Sequence, residues 1–338
     1  MPKIDDRALN RARLSRSLLL GRSNLPVTEA LERLAGLRGD SCRDIHIGLW
    51  ARLSAYRPET TTRLRLDGEI VLTDLAGSRP HLVTAADCLW ALPTLAPARQ
   101  RLMRRALGPS VEGIDLRELT ATGRAIVDRD GPLSAADLGR SLAAHGREVG
   151  WGERRPESLA VAVGHLTGLV AVPPREAWPA GGAEPVYMTV ETWLGRRVAE
   201  PDPERLIRRR LAAAGPASVR ELEAWSGLSR LAEVVALMDL PTHTGAAGET
   251  LLDLPGAEIP DPATPAPVRF LPGDSEGTVL VDGFPSATWE LSRTEARATL
   301  RLRPARAFTP AEGSQVGDEA TALLNFLAPG AEHAVEGL

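Results

Sequence analysis

The sequence predicts a mainly α fold with small β wings, in which winged-helix units repeat in tandem ahead of a C-terminal β-containing segment. Three observations predict it. The stretch from Arg205 to Met238 carries helical apolar spacing in three short runs separated by turn residues, and alternating residues follow at 242–254. A similar succession recurs at 115–189. Past a proline-spaced linker at 260–267, three alternating segments precede one long helical pattern.

The run at 205–254 justifies its elements in order. Leu206, Ile207 and Leu211 place an apolar stripe on a first helix, and Gly215-Pro216 ends it. Ser218 with Glu221 three residues on reads as a capping box, opening a helix from Val219 to Trp225 that stops at Gly227. Leu231, Val234, Val235 and Met238 give a third helix, and Thr242–Leu254 reads as a hairpin. Helices followed by a hairpin form a winged helix, which presents one helix to a DNA groove.

In the preceding run, helices are expected over Asp115–Val127, Ala135–Leu142 and Glu157–Leu169, with wing strands at Val170–Val172 and Val186–Thr189. Earlier still, helical patterns at 6–20 and 27–37 lead into a polar turn at 38–45 and a short helix through Trp50. Residues 69–73 and 81–84 read as a strand pair, and 86–107 as a long helix interrupted near Pro93 and Pro97. In the tail, 278–281, 287–291 and 298–303 read as antiparallel strands and 310–327 as a helix. The resulting division is 1–108, 109–200, 201–258 and 259–338.

Composition bounds the function. The 338 residues are 43% hydrophobic and 25% charged, enough for several buried cores. The absence of a membrane-length apolar run or a signal-peptide pattern points to a cytoplasmic protein. Cys42 and Cys88 offer neither a disulfide framework nor a zinc site, and no nucleotide fingerprint occurs, so neither metal nor cofactor is expected, and a monomer is the default. Lys3 is the only lysine, so almost every cation is arginine, yet the net charge is −4. A DNA-binding surface would have to come from local clusters such as Arg101/Arg104/Arg105, Arg196-Arg197 or Arg208–Arg210; an ordinary solvated face is the simpler reading of each.

The phrase Gly215-Pro-Ala-Ser-Val, continued by Ala224-Trp-Ser-Gly-Leu-Ser-Arg-Leu231, is similar to a motif of the bacterial tandem winged-helix DNA glycosylases. So are Arg43-Asp44 with Gly48-Leu-Trp50, His81-Leu-Val-Thr-Ala, Thr192-Trp-Leu-Gly195 and Pro265–Pro272, and the resemblance runs nearly end to end. It implies tandem winged helices and excision of bulky alkylated bases in DNA repair or antibiotic self-resistance. The family's water-activating motif, Gln-x-Gln or Gln-x-Asp, falls here on Arg38-Gly39-Asp40. Asp40 keeps the carboxylate, which can act as a base or stabilise an oxocarbenium ion. Arg38 replaces the glutamine, and an adjacent guanidinium favours the charged carboxylate, hence electrostatic stabilisation over proton abstraction.

Two other departures stand out. Ser78 and His81 match the family at the start of the second strand of the pair at 69–84, but Arg79-Pro80 does not, and the basic segment expected after Pro272 is missing. With the negative net charge, these departures predict weak duplex binding and a cleft turned toward a small, planar or polycyclic metabolite, with alkylated DNA as the alternative partner. The loop also holds Cys42 and His46, four apart and so on one face of a helix, as a nucleophilic pair would be; drift in a surface loop is the competing reading. Trp151 and Trp178, in Gly/Pro-rich loops, are candidates for stacking a planar ligand beside Ser78 and Arg79.

Overall fold

A computed structural model describes residues 2–75, 80–172, 185–273, 276–294 and 296–338. A leading helix, α1 (Asp6–Arg16), is followed by a first unit: α2 (Val27–Arg33), β1 (Leu37–Arg38), α3 (Cys42–Trp50), α4 (Pro58–Leu66), β2 (Ile70–Asp74) and β3 (Pro80–Thr84). The long α5 (Ala85–Leu107) leads to a second unit, α6 (Leu116–Asp130), β4 (Leu133–Ser134), α7 (Ala135–Val149), α8 (Pro156–Thr167), β5 (Leu169–Val172) and β6 (Val186–Thr189). After α9 (Val190–Leu194) the third unit comprises α10 (Pro203–Ala214), α11 (Val219–Ser226), α12 (Leu231–Val235), β7 (Thr242–Thr244) and β8 (Thr250–Leu252). The C-terminal part holds β9 (Arg269–Leu271), β10 (Gly277–Val281), β11 (Phe284–Arg293), β12 (Arg297–Pro304), α13 (Pro310–Leu327) and β13 (Glu332–Glu336).

The repeat is therefore helix, short strand, helix, helix, hairpin. In each unit a residue three or four places beyond the first helix pairs with the last wing strand: Leu37 with Leu82, Leu133 with Tyr187, and Ala217 with Leu252. The wings of the first two units do not stand alone. Leu72 and Thr73 of β2 pair with Ala171 and Val170 of β5, giving one sheet of order β1-β3-β2-β5-β6-β4 among the described residues. Leu31, Ile45, Leu49 and Leu82 form the core of the first unit, and Leu119, Leu138, Leu142 and Val163 that of the second. Val71, Val83, Val170 and Leu89 pack the shared sheet against α5.

Several expectations need correction. The prolines do not break α5, because the Leu89 carbonyl, left without its helical donor by Pro93, accepts from the Ala199 N–H at 2.9 Å. A helix, α4, occupies residues for which the sequence pattern predicts no element. The turn expected at 38–45 ends early, since Ser41 caps α3 through the Asp44 N–H. Two further strands, β9 and β13, flank the three expected in the tail; β13 runs parallel to β12. Leu300, Leu302, Phe270 and Trp289 of that sheet pack on Leu323 and Leu324 of α13.

The leading helix ties the parts together through arginine. Arg16 makes a bidentate bond to buried Asp253 after β8, at 2.6 and 3.0 Å. Arg11, fully buried, gives its donors to Thr264, Asn10 and Asp282. A buried guanidinium costs little only when its donors are satisfied, as these are.

Candidate active site

Asp40 lies on the connector between β1 and α3. The Gly39 N–H donates to the Pro80 carbonyl at 3.2 Å, extending the β1–β3 pairing by one bond. A Cβ at Gly39 would fall 2.5 Å from Ile45 Cγ1 and 3.1 Å from the Ile45 nitrogen, so the connector passes α3 at a distance only glycine allows. That close pass, together with the Ser41 cap, fixes where Asp40 leaves the surface of the first unit.

Asp40 stands where two hollows meet. The larger is an open cleft of about 560 Å³ between the first unit, the end of α10 and the turn after β9. Arg38, Arg52 and Arg210 line it together with Asp40 and Asp44. The smaller, of about 310 Å³, runs between the Leu72/Ala171/Tyr187 face of the shared sheet and α7 and α8. Arg38 Nη2 is 3.7 Å from Asp40 Oδ2, with both side chains partly exposed, so the pair is screened by solvent and orients more than it stabilises.

The cations around the cleft are differently held. Burial pushes the Arg52 guanidinium down to about 10, which leaves it charged at neutral pH, and it donates to the carbonyls of Ser17 and Gly48. Arg210 lies over the Trp225 ring, 4.9 Å from its centroid, and burial lowers its pKa too. The Arg208–Arg210 cluster thus divides: Arg208 pairs with Glu204, Arg209 with Asp87, and Arg210 lines the cleft.

Asp44 was missed as a site residue. Its sequence position marks it as an acid in the first turn of a helix, which the structure bears out, but its largely buried carboxylate also lines the cleft and a neighbouring hollow beside Trp289. Arg52 and Arg210 were missed because nothing in the local pattern separates them from the other arginines.

The remaining candidates separate. The ladder sets His81 opposite Arg38, but His81 and Val83 line a narrow crevice facing Trp90 of α5, whereas Asp40's smaller hollow lies on the other face of the sheet. His81, a family-matching candidate, is therefore not among the described residues that line the hollows at Asp40. Trp151 is a core residue: α7 runs on to Val149, Gly150 takes a left-handed turn (φ 89°), and the indole folds back on Gly146 and His145. It cannot serve as a stacking platform at the cleft. Cys42 and His46 share α3, but burial raises the thiol to about 11, which leaves little thiolate at neutral pH. His46 Nδ1 lies 2.5 Å from the Tyr56 hydroxyl, and burial lowers its pKa. Ser78, Arg79 and Trp178 lie outside the described residues.

Tandem winged-helix units with a carboxylate at their cleft define the class of fold. The family profile described as DNA glycosylase AlkZ-like matches residues 31–274, and the chain belongs to that family. Among solved structures, the chain is similar to the DNA glycosylase AlkZ of Streptomyces sahachiroi, with a TM-score of 0.75 and 18% identity over 98% of this chain and 100% of that one. At that identity the likeness speaks for the fold. No curated protein sequence matches the chain.

Proposed function

We propose that the chain excises alkylated purines from DNA by hydrolysing the N-glycosidic bond, with Asp40 as the charge-stabilising carboxylate. The observation that carries this reading is the position of Asp40: it sits at the mouth of both hollows in a member of a DNA glycosylase family. Alkylation at a ring nitrogen makes the purine cationic. The C1′–N bond then breaks with its electron pair leaving on the base, which departs neutral, and positive charge develops on the sugar. Asp40 stabilises that charge and orients the water that adds to C1′. The water's proton passes to the carboxylate or to solvent, and the products are the free base and an abasic site. Arg38, Arg52 and Arg210 offer guanidinium groups to the phosphates that flank the reacting nucleotide.

Single-turnover excision from a duplex carrying N7-alkylguanine tests the reading. The expected result is release of free base by the wild type and a loss of roughly 10²–10⁴-fold in Asp40→Asn, the range for a lost acid–base or charge-bearing group. Melting should barely change, because Asp40 is partly exposed. Wild-type rates in Asp40→Asn contradict the assignment.

A second reading, a cleft given over to a small molecule, draws on the net charge of −4 and the apolar smaller hollow. Fluorescence anisotropy with undamaged duplex separates the two. Binding that weakens steeply with salt supports action on DNA, and no binding at physiological salt supports the small molecule.

A further inference from the structure

The first-turn acids of the three repeats separate by what their carboxylates touch. Asp137 of α7 accepts from the Ser134 hydroxyl at 2.7 Å, and Glu221 of α11 accepts from the Ser218 N–H at 2.8 Å. Each is held by its own cap residue. Asp44 of α3 gives its backbone N–H to Ser41 Oγ at 3.1 Å, but among the described residues its carboxylate accepts no hydrogen bond. Arg43 Nε stands 3.9 Å from its Oδ1, too far for one. The side chain is only 12% exposed, against 38% for Asp40, and it borders the arginine-lined cleft.

The cleft needs such a group. The glutamine of the resembled motif has an acceptor oxygen, whereas Arg38 in its place has only donors. Asp40 has that guanidinium 3.7 Å away, an arrangement suited to holding charge. Among the described residues that line the cleft, Asp40 and Asp44 are the carboxylates. Asp44 also borders a second hollow of about 330 Å³, walled by Glu290, Ser292 and Thr299 of the C-terminal sheet. A polar space of that size admits several waters, so water has a route to Asp44 other than the cleft.

We propose that Asp44 is a second catalytic carboxylate, which accepts the proton of the attacking water while Asp40 stabilises the charge on the sugar. The assignment rests on the N-glycosidic reading above and gives the proton its destination. The water oxygen bonds to C1′ as the C1′–N bond breaks and its electron pair leaves on the base. One O–H bond of the water breaks in the same step. Its pair stays on oxygen, and the proton goes to an Asp44 oxygen. The base departs neutral, the sugar keeps the hydroxyl, and Asp44 returns its proton to solvent through the second hollow.

Single-turnover excision from an N7-alkylguanine duplex at saturating enzyme tests the assignment. Asp44→Asn keeps the shape of the side chain and the Ser41 cap, which uses the backbone N–H, so it should melt like the wild type. Its rate at neutral pH should fall roughly 10²-fold or more, as for a lost general base. That rate should climb from about pH 6 to 8.5, where the wild type is level, because hydroxide replaces the missing base. Duplex affinity should hold or rise, since a negative charge leaves a cleft offered to phosphate. In Asp44→Ala, added formate should restore the rate about tenfold or more, and its neutral analogue formamide should not. Asp137→Asn, the matching acid of the second repeat, should excise like the wild type.

A wild-type rate in Asp44→Asn overturns the proposal. So does a loss that formate does not relieve in Asp44→Ala, or one that keeps the wild-type pH profile. The formate arm decides alone should Asp44→Asn misfold. If the wild type releases no base, the N-glycosidic reading fails and the role of Asp44 with it. Release that is indifferent to Asp44 leaves that reading standing and removes only the second carboxylate.

Discussion

The first winged unit and the two that follow it share their topology and part company at three residues. In the second unit Leu133 pairs with the wing and the next residue, Ser134, caps α7 through the Asp137 N–H. In the third, Ala217 pairs with the wing and Ser218 caps α11 through the Glu221 N–H. In the first, Leu37 pairs with the wing and Ser41 caps α3 through the Asp44 N–H, but Arg38, Gly39 and Asp40 stand between them. The acids at the third helical position also diverge. Glu221 closes a capping box on Ser218, Asp137 bonds the Ser134 hydroxyl, and Asp44 lines the cleft. Repeats two and three spend these positions on ending strands and starting helices. The first repeat interrupts the same join, and the interruption carries the proposed chemistry.

The largest effect on this contrast should come from Gly39. Gly39→Val forces the connector away from Ile45, and stability should fall by about 1–3 kcal/mol, the usual range for overpacking. Excision should fall by roughly 10²-fold, because a catalytic group displaced by about 1 Å loses that much. A variant that melts and reacts like the wild type would show that the connector does not position Asp40.

Arg38→Gln sharpens the contrast from the other side. It restores the glutamine of the motif that the sequence resembles and removes one cation from the cleft. Excision should rise several-fold, while the slope of log affinity against log salt should shrink by about 1 if Arg38 holds a phosphate. An unchanged slope with lower excision would place Arg38 in the reaction and not on the backbone.

The smallest effect should be that of Cys42→Ser. A thiol titrating at about 11 stays protonated below that value, so between pH 6 and 9 neither the rate nor its pH profile should depend on it. A rate that climbs through this interval in the wild type and is flat in Cys42→Ser would reinstate the thiol as a nucleophile.

Much of the fold is legible in the sequence because its joins use strong local signals. Ser218 with Glu221, the wing strands at 170–172 and 186–189, and the helix at 310–327 all follow from caps and periodicity. Local signals fail where a distant residue decides. Pro93 stops no helix because Ala199 supplies the donor for Leu89. Trp151 looks like a loop residue between two glycines, but the first of them turns it into the core. The helix α4 is hidden by three consecutive threonines, Thr60 to Thr62, which have poor helix propensity. Of the candidate site, Asp40 and Arg38 can be read from resemblance to a family motif. Arg52 and Arg210 cannot, since they reach the cleft through the packing of α10 and the first unit. His81 shows the reverse failure: it matches the family motif, yet it lines the crevice facing Trp90 and not the hollows at Asp40.

The most direct measurement removes the interruption itself. Deleting Arg38-Gly39-Asp40 joins Leu37 to Ser41, the arrangement that the second unit has at Leu133-Ser134 and the third at Ala217-Ser218. The prediction is a protein that still melts cooperatively and still binds duplex, with the weaker salt dependence that loss of Arg38 brings, but releases no free base from an N7-alkylguanine duplex in single turnover. Excision at the wild-type rate by the folded deletion variant would contradict the account, and would place the chemistry outside the three residues that set the first repeat apart.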